Sequence, residues 1–271
     1  MVGMQDAVEE VSALSRSLHR VRLLSWLAEH GRLHRNDIRA RCDADRTTVV
    51  RNLELLEEHG WIERDNHDYV ITPAGEIISQ QFSDLITVVH LTQRLQPILK
   101  WLPLSDLGAD LTLFEEATVV TPDPANPYAP VNRHIDAMES ADRFRCILPA
   151  VGLQPMTIAH ELIVERGCTH EVIVDPDVAD TLQSDPAYIE LYEEILDTGR
   201  FTGYVSTRPC PYYLGLTEDL VQIGVEDGNG MPRGLIELPT HSPDVTEWAD
   251  QLYARHKQHS EPLHIETAPK S

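Results

Sequence analysis

Val21, Leu24, Leu27 and Ala28 recur at helical spacing and stop at Gly31, a residue that ends helices readily, so the pattern predicts a helix there. His34 to Cys42 reads as a short second helix carrying Ile38, followed by a three-residue turn of Asp43, Ala44 and Asp45. A third helix is predicted from about Arg46 to His59, with Asp45 placed to accept from its free N–H groups and Gly60 at its end. Val49, Leu53 and Leu56 share one face of it at i, i+4, i+7, and that face is expected in a core. Trp61-Ile62-Glu63-Arg64 and Tyr69-Val70-Ile71 flank the polar turn Asp65-Asn66-His67-Asp68, the pattern of a β-hairpin.

Thr72-Pro73 then supplies an N-cap and a proline at the first helical position. The helix they open is expected to last to about Gln96, before Pro97. Ile78, Phe82, Leu85 and Val89 form a coiled-coil-like seam along it, widened by Val88, Leu91, Leu95 and Ile98. A helix of about 24 residues reaches about 36 Å at 1.5 Å per residue, more than one small domain needs. It is expected to separate two domains and to pair with a second copy of itself.

Beyond residue 105 the period changes. Ala117 to Thr121, Phe144 to Ala150, Glu171 to Asp175, Phe201 to Ser206, Tyr212 to Thr217, Leu220 to Glu226 and Gly234 to Leu238 read as strands. Pro155 to Arg166, Pro186 to Thr198 and Pro243 to His259 read as helices, and Pro122 to Pro130 as a loop. The fold class expected is α+β. An N-terminal domain of three helices and a hairpin occupies residues 1–72, a linker and dimerisation helix 73–104, an α/β domain with a mixed sheet 105–260, and a tail 261–271.

Charge changes this picture more than hydropathy does. The 271 residues carry 44 acidic against 22 basic groups, a formal net charge of −22, and the bases are 19 arginines and three lysines. Such a field repels phosphate, so a nucleic-acid surface has to be local. Residues 1–72 hold ten of the bases against thirteen acids, and from Arg16 to Arg64 the count is ten bases to eight acids. That stretch is slightly positive inside a strongly negative chain. The acidity and the preference for arginine over lysine resemble halophilic proteins, whose self-repulsion is screened by concentrated salt.

Cys42, Cys146, Cys168 and Cys210 contain no C-x-x-C pair, which fits neither a disulfide framework nor a zinc site. No stretch fits a signal peptide or a membrane span, so a cytoplasmic protein without membrane association is expected. His30, His34, His59 and His67 each fall near a helix end or turn, where capping accounts for them, and no metal or cofactor is expected. Cys42 and the Cys168, His170 neighbourhood are the candidates for redox sensing.

The third helix turns Thr47, Arg51 and, near its start, Thr48 away from its apolar face. An α-helix fits the major groove of duplex DNA, where arginine bonds guanine bidentately and threonine meets phosphate or a thymine methyl. Arg51 is the first candidate for reading bases. Arg46 on the same helix, with Arg35, Asn36 and Arg39 on the helix before it, flanks that side and suits phosphate. Arg64, Asn66 and His67 on the hairpin are placed to reach the neighbouring backbone or minor groove.

The segment from Ile38 to Ile62, IRARCDADRTTVVRNLELLEEHGWI, resembles the winged helix-turn-helix of archaeal and bacterial transcription regulators. The resemblance covers about residues 16–72 and makes the third helix the recognition helix and the hairpin the wing. The whole layout is similar to haloarchaeal and methanogen regulators carrying a filament-regulator middle domain, and to sugar-responsive archaeal regulators whose sensor domain looks like phospholipase D. It implies a homodimer on double-stranded DNA with a palindromic or semi-palindromic operator, controlled by a small-molecule effector or a partner at the C-terminal domain.

Strand ends are where ligands gather in open α/β sheets. Gly152 in the turn after one strand, Asp175 closing the next, and Arg208, Tyr212 and Tyr213 after a third are therefore the candidate effector residues. Catalysis is not expected. His256-Lys257 lacks the residue between the two that H-x-K requires, and His160-Glu161 is not followed by the second histidine of H-E-x-x-H. Two alternatives stand beside this reading: a winged helix that docks on transcription machinery, and an enzyme acting on phosphodiesters.

Overall fold

The computed structural model describes residues 2–227 and 231–264, in two units, residues 1–89 and residues 90–271. The chain is α+β, with a mixed sheet in the second unit.

The first unit runs α1 (Val2–Ser15), α2 (Leu18–His30), β1 (Arg32–His34), α3 (Arg35–Arg41), α4 (Arg46–Glu58), β2 (Ile62–Asp65) and β3 (Asp68–Ile71). Helix α5 (Pro73–Leu95) leaves it. Side-chain caps start the helices: Ser17 accepts from the Arg20 amide, His34 Nδ1 from the Asn36 amide, and Asp45 from the Thr48 amide at 2.9 Å. Gly31 closes α2 at φ 71°, backbone that costs a side-chain-bearing residue strain. Leu23, Leu24 and Leu27 of α2 meet Ile38, Val49, Leu53, Leu56, Trp61 and Ile62 in one core. Each such side chain contributes about 1.5–3 kcal/mol on burial. The three strands pair antiparallel in the order β1-β3-β2, with Asn66 at φ 54° in the turn of the hairpin.

Two elements of this unit were not expected. Helix α1 escapes a periodicity reading because Met4, Val8 and Val11 are exposed, while Leu14 is buried in the core. Strand β1 is too short, at three residues, to show alternation.

The start of α5 is tied to the end of α4. Thr72 donates its hydroxyl to the Gly60 carbonyl at 2.7 Å and accepts from the Gly75 amide at 3.0 Å. A Cβ at position 75 would collide with the Trp61 carbonyl, so only glycine fits. Farther along, Ile78 and Phe82 pack on the first core, while Leu91, Leu95 and then Ile98 belong to a core of the second unit. Between them Leu85, Ile86 and Val89 are exposed.

The second unit contains α6 (Leu104–Leu107), a 3-10 turn (Leu111–Phe114), β4 (Thr118–Val120), α7 (Ala129–Glu139), β5 (Arg143–Leu148), α8 (Leu153–Val164), β6 (Thr169–Val174), α9 (Pro176–Ser184) and α10 (Pro186–Asp197). There follow β7 (Phe201–Ser206), β8 (Tyr213–Leu216), β9 (Leu220–Glu226), β10 (Pro232–Pro239), α11 (Pro243–Lys257) and β11 (Ser260–Pro262). The sheet order is β11-β7-β6-β5-β8-β9-β10-β4, with β5, β6 and β7 parallel and every other pair antiparallel. One face packs Ile147, Ile173, Leu214, Ile223 and Ile236 against Trp248, Leu252 and Tyr253 of α11. The other packs Phe144, Cys146, Val172 and Val174 against α7, α8, α9 and α10. Helices cover both faces, as parallel strands require.

The seven expected strands appear as β4 to β10 and the three expected helices as α8, α10 and α11. The proline-rich stretch ends inside α7, because Pro130 occupies the first helical turn, where no amide donor is needed. The tail expected from residue 261 starts later: Ser260–Pro262 pairs with Tyr204–Ser206 of β7, and residues 265–271 lie outside the described residues. Among the described residues no helix is long and apolar enough to cross a membrane.

Candidate nucleic-acid interface

Burial of Val49, Asn52, Leu53 and Leu56 orients α4 and leaves Arg46, Thr47 and Arg51 exposed on its opposite side. Glu54, Glu57 and Glu58 are exposed too, so the cationic part of the helix is its first two turns. Thr48 is half-buried, and its hydroxyl donates to Asp45 Oδ2 at 2.8 Å. These bonds from Thr48 hold the Asp45 carboxyl below its usual range and keep it charged at the positive end of the helix. Thr48 is thus part of the cap, with only its lone pairs left for an outside donor.

Arg35 and Asn36 are exposed on the first turn of α3, and Arg39 is half-buried one turn on. The Arg35 amide donates to the His67 carbonyl at 3.0 Å, which joins the start of α3 to the hairpin turn. The rings of His34 and His67 stand edge to face at 6.4 Å. Arg64, Asn66 and His67 are exposed; Arg64 Nε donates to the Asn66 carbonyl at 3.4 Å, and Asn66 Nδ2 to Asp65. All three segments therefore belong to one unit, the hairpin turn being bonded to α3. Among the described residues, none of Arg35, Arg39, Arg46, Arg51 and Arg64 pairs with a carboxylate. Arg32 does, with Asp65 at 2.9 Å and Asp68 at 3.2 Å.

Periodicity reading passed over Arg20 and Asn52. Arg20 is only 8% exposed, and its Nε donates to Asn52 Oδ1 at 3.2 Å. The signal was there: Arg20 precedes Leu23, Leu24 and Leu27, and Asn52 stands between Val49 and Leu53, so both polar residues interrupt apolar stripes.

The candidate effector residues do not gather. The carboxyl ends of parallel β5, β6 and β7 share one edge of the sheet, where Gly152 caps α8, Asp175 caps α9 and Arg208 is exposed. Asp175 is already engaged, accepting from the Asp177 amide at 3.1 Å and the Cys210 amide at 2.8 Å. The tyrosines are a correction. Neighbouring residues on an extended chain point to opposite faces. Tyr212 is fully buried in the α11 side, its hydroxyl 2.8 Å from His256 Nε2. Tyr213 packs on the other side, its hydroxyl 2.7 Å from His134 Nδ1 and 3.2 Å from Gln222 Oε1. Two open depressions of about 270 and 450 Å³ involve none of the five residues; Glu115, Glu116 and Asp244 line the first, and Trp248, Gln251 and Arg255 the second.

The side chains around Tyr213 form a chain of bonds that runs from buried Gln222 and Glu237 to the exposed Arg133. Gln222 Nε2 donates to Glu237 Oε1 at 3.1 Å, and Arg133 Nη2 to Glu237 Oε2 at 2.5 Å. Burial pushes the imidazoles of His134 and His170 down to about 4, and the Tyr213 phenol well up. All four cysteines are buried and free, and burial raises the Cys42 thiol above its usual range, which disfavours the reactive thiolate. Among the described residues no group of three or more His, Cys, Asp or Glu is arranged to hold a metal ion.

Residues 8–94 match the family model described as the HVO_A0261 N-terminal domain, and residues 127–259 the model described as methanogenesis regulatory protein FilR1, middle domain. No curated protein matches the chain. Among solved structures, the archaeal chromatin protein TrmBL2, described as showing a novel mode of DNA binding, is 13% identical at a TM-score of 0.39, covering 90% of this chain and 94% of its own. Nuc of Salmonella typhimurium, a phospholipase D family member, is 12% identical at 0.43, covering 55% of this chain and 99% of its own. NucT of Helicobacter pylori is 13% identical at 0.39, covering 54% and 98%. With an HVO_A0261-type N-terminal domain followed by a FilR1-type middle domain, the chain is an archaeal regulator.

Proposed function

We propose that the chain regulates transcription by binding double-stranded DNA through a winged helix-turn-helix, in which α3 and α4 are the helix pair and β2 and β3 the wing. One observation carries the reading. In a chain with twice as many acids as bases, Arg35, Arg39, Arg46, Arg51 and Arg64 stand in one unit without a carboxylate partner among the described residues. The first turns of α4 enter the major groove, with Arg51 reading a base and Thr47 a methyl or phosphate. Arg35, Asn36, Arg39 and Arg46 hold the backbone, the spare lone pairs of Thr48 accept from a base amino group in the groove, and Arg64, Asn66 and His67 reach from the wing.

The exposed Leu85, Ile86 and Val89 of α5 support a homodimer, which sets two half-sites about 34–36 Å apart, or a multiple of that, on a palindromic or semi-palindromic operator. The second unit is the seat of control by an effector or partner, without catalysis, and the whole acts in the cytoplasm.

Selection of bound duplexes from a random-sequence pool tests this; the enriched sequences are expected to contain inverted repeats. On the selected duplex Arg51→Ala is expected to cost about 1–3 kcal/mol. Recovery of no sequence, or unchanged affinity in the variant, favours the alternative in which the unit docks on protein.

A further inference from the structure

Arg20 occupies the first turn of α2, and the bond from its Nε to Asn52 docks its guanidinium on α4 at the residue next to Arg51. Arg16 lies four residues before Arg20, beside the capping Ser17. The amides of Leu18 and His19 open the same helix, where no preceding turn supplies carbonyls for them. Among the described residues Arg16, Arg20 and Arg51 have no carboxylate partner, and the terminal nitrogens of Arg20 have no partner at all.

This arrangement is costly as it stands. Burial lowers the Arg20 pKa first, and the fields of Arg51 and Arg16 lower it further. Arg32 and Arg133 behave oppositely, raised by the carboxylates they bond. None of the many acids among the described residues is bonded to these three arginines. A cation cluster beside a helix N-terminus is relieved by an anion, and a guanidinium with two free terminal nitrogens matches the paired oxygens of a phosphodiester.

We propose that Arg16, Arg20, Arg51 and the N-terminus of α2 form a phosphate site for the DNA backbone beside the groove that α4 enters. Asn52 is its positioning residue, fixing Arg20 through Nε so that the other nitrogens face outward. The site rests on the reading of the first unit as a DNA-binding domain and deepens it.

The test compares the full chain with Arg16→Gln, Arg20→Gln and Asn52→Asp on a random-sequence duplex and on the selected operator, over a range of salt. Asn52→Asp is near-isosteric and gives Arg20 an internal carboxylate, so it is expected to leave the melting temperature equal or higher while binding weakens. Each variant is expected to lose about 3- to 10-fold on both duplexes alike, and the log–log salt slope to fall by about 1. A merely structural Arg20 predicts wild-type binding for folded Asn52→Asp, and that result overturns the site while leaving the Arg51 operator effect in place. In a second arm the Arg20 Nε–H resonance is followed as inorganic phosphate is added at fixed pH and ionic strength. A saturable shift that Arg16→Gln abolishes supports an anion site, and no shift overturns it. A shift without duplex binding by the wild type assigns the site to free phosphate, and overturns both the backbone assignment and the DNA reading.

Discussion

In the second unit Arg133 grips the buried Glu237, Arg145 reaches Asp250, Arg233 reaches Asp227 and Lys257 reaches Glu171. Arg94, Arg166, Arg200 and Arg255 donate to main-chain carbonyls. In the first unit Arg16, Arg22, Arg35, Arg39, Arg46 and Arg51 have neither kind of partner among the described residues. The same side chain thus serves two purposes within one chain. Where it fastens the fold, removing it should cost stability; where it is left to solvent, removing it should cost binding and little else.

The largest effect expected on that contrast comes from acid, because His134 and His170 are buried neutral in the second unit. Their folded-state pKa values lie near 4, below the unfolded value of about 6.5. The unfolded chain therefore binds protons first. Stability is complete above pH 6.5 and is lost as pH falls from 6.5 towards 4, by up to about 3 kcal/mol for each histidine. Melting at pH 7, 6 and 5, followed through Trp248, checks it. His134→Phe removes one of the two titrating groups, and a pH dependence it leaves unaltered would sink the account.

Next comes Arg133→Ala, which leaves the carboxylate of Glu237, itself 4% exposed, without its cation. Losing one partner of a fully buried pair costs about 3–5 kcal/mol; here Arg133 is 47% exposed, and about 2–3 kcal/mol is expected in urea unfolding. Arg51→Ala, by contrast, is expected to change stability by no more than about 0.5 kcal/mol while removing base preference. The smallest effect is that of Arg46→Ala: a loss of binding uniform across sequences, a salt slope lower by about 1, and a melting temperature within error of wild type. A melting temperature that drops for Arg46→Ala as much as for Arg133→Ala would erase the distinction between the units.

The elements that carry this contrast were legible where one period ran long enough. Helix α4 was readable from Asp45 to Gly60 because its cap, its apolar face and its terminating glycine agree. Helix α7 was hidden because proline at a first helical turn reads as a loop, and α1 because its apolar residues face solvent. The exposed cations of the first unit followed from helical phase alone. The tyrosine pair did not, because Tyr212 and Tyr213 are neighbours on an extended chain and so go to opposite faces of the sheet. Arg20 was missed for a different reason: hydropathy counts it as surface, while its position in the stripe of Leu23, Leu24 and Leu27 places it inside.

The bonds of Thr72 and the glycine-only contact at residue 75 leave no slack where the long helix begins. A twist of α5 about its own axis is therefore handed to Gly60 and Trp61, and so to the foot of α4, instead of being absorbed in the intervening hairpin. Torque is dissipated only where a rod is free of its bearings. Along α5 the exposed Leu85 and Ile86 pack on neither core.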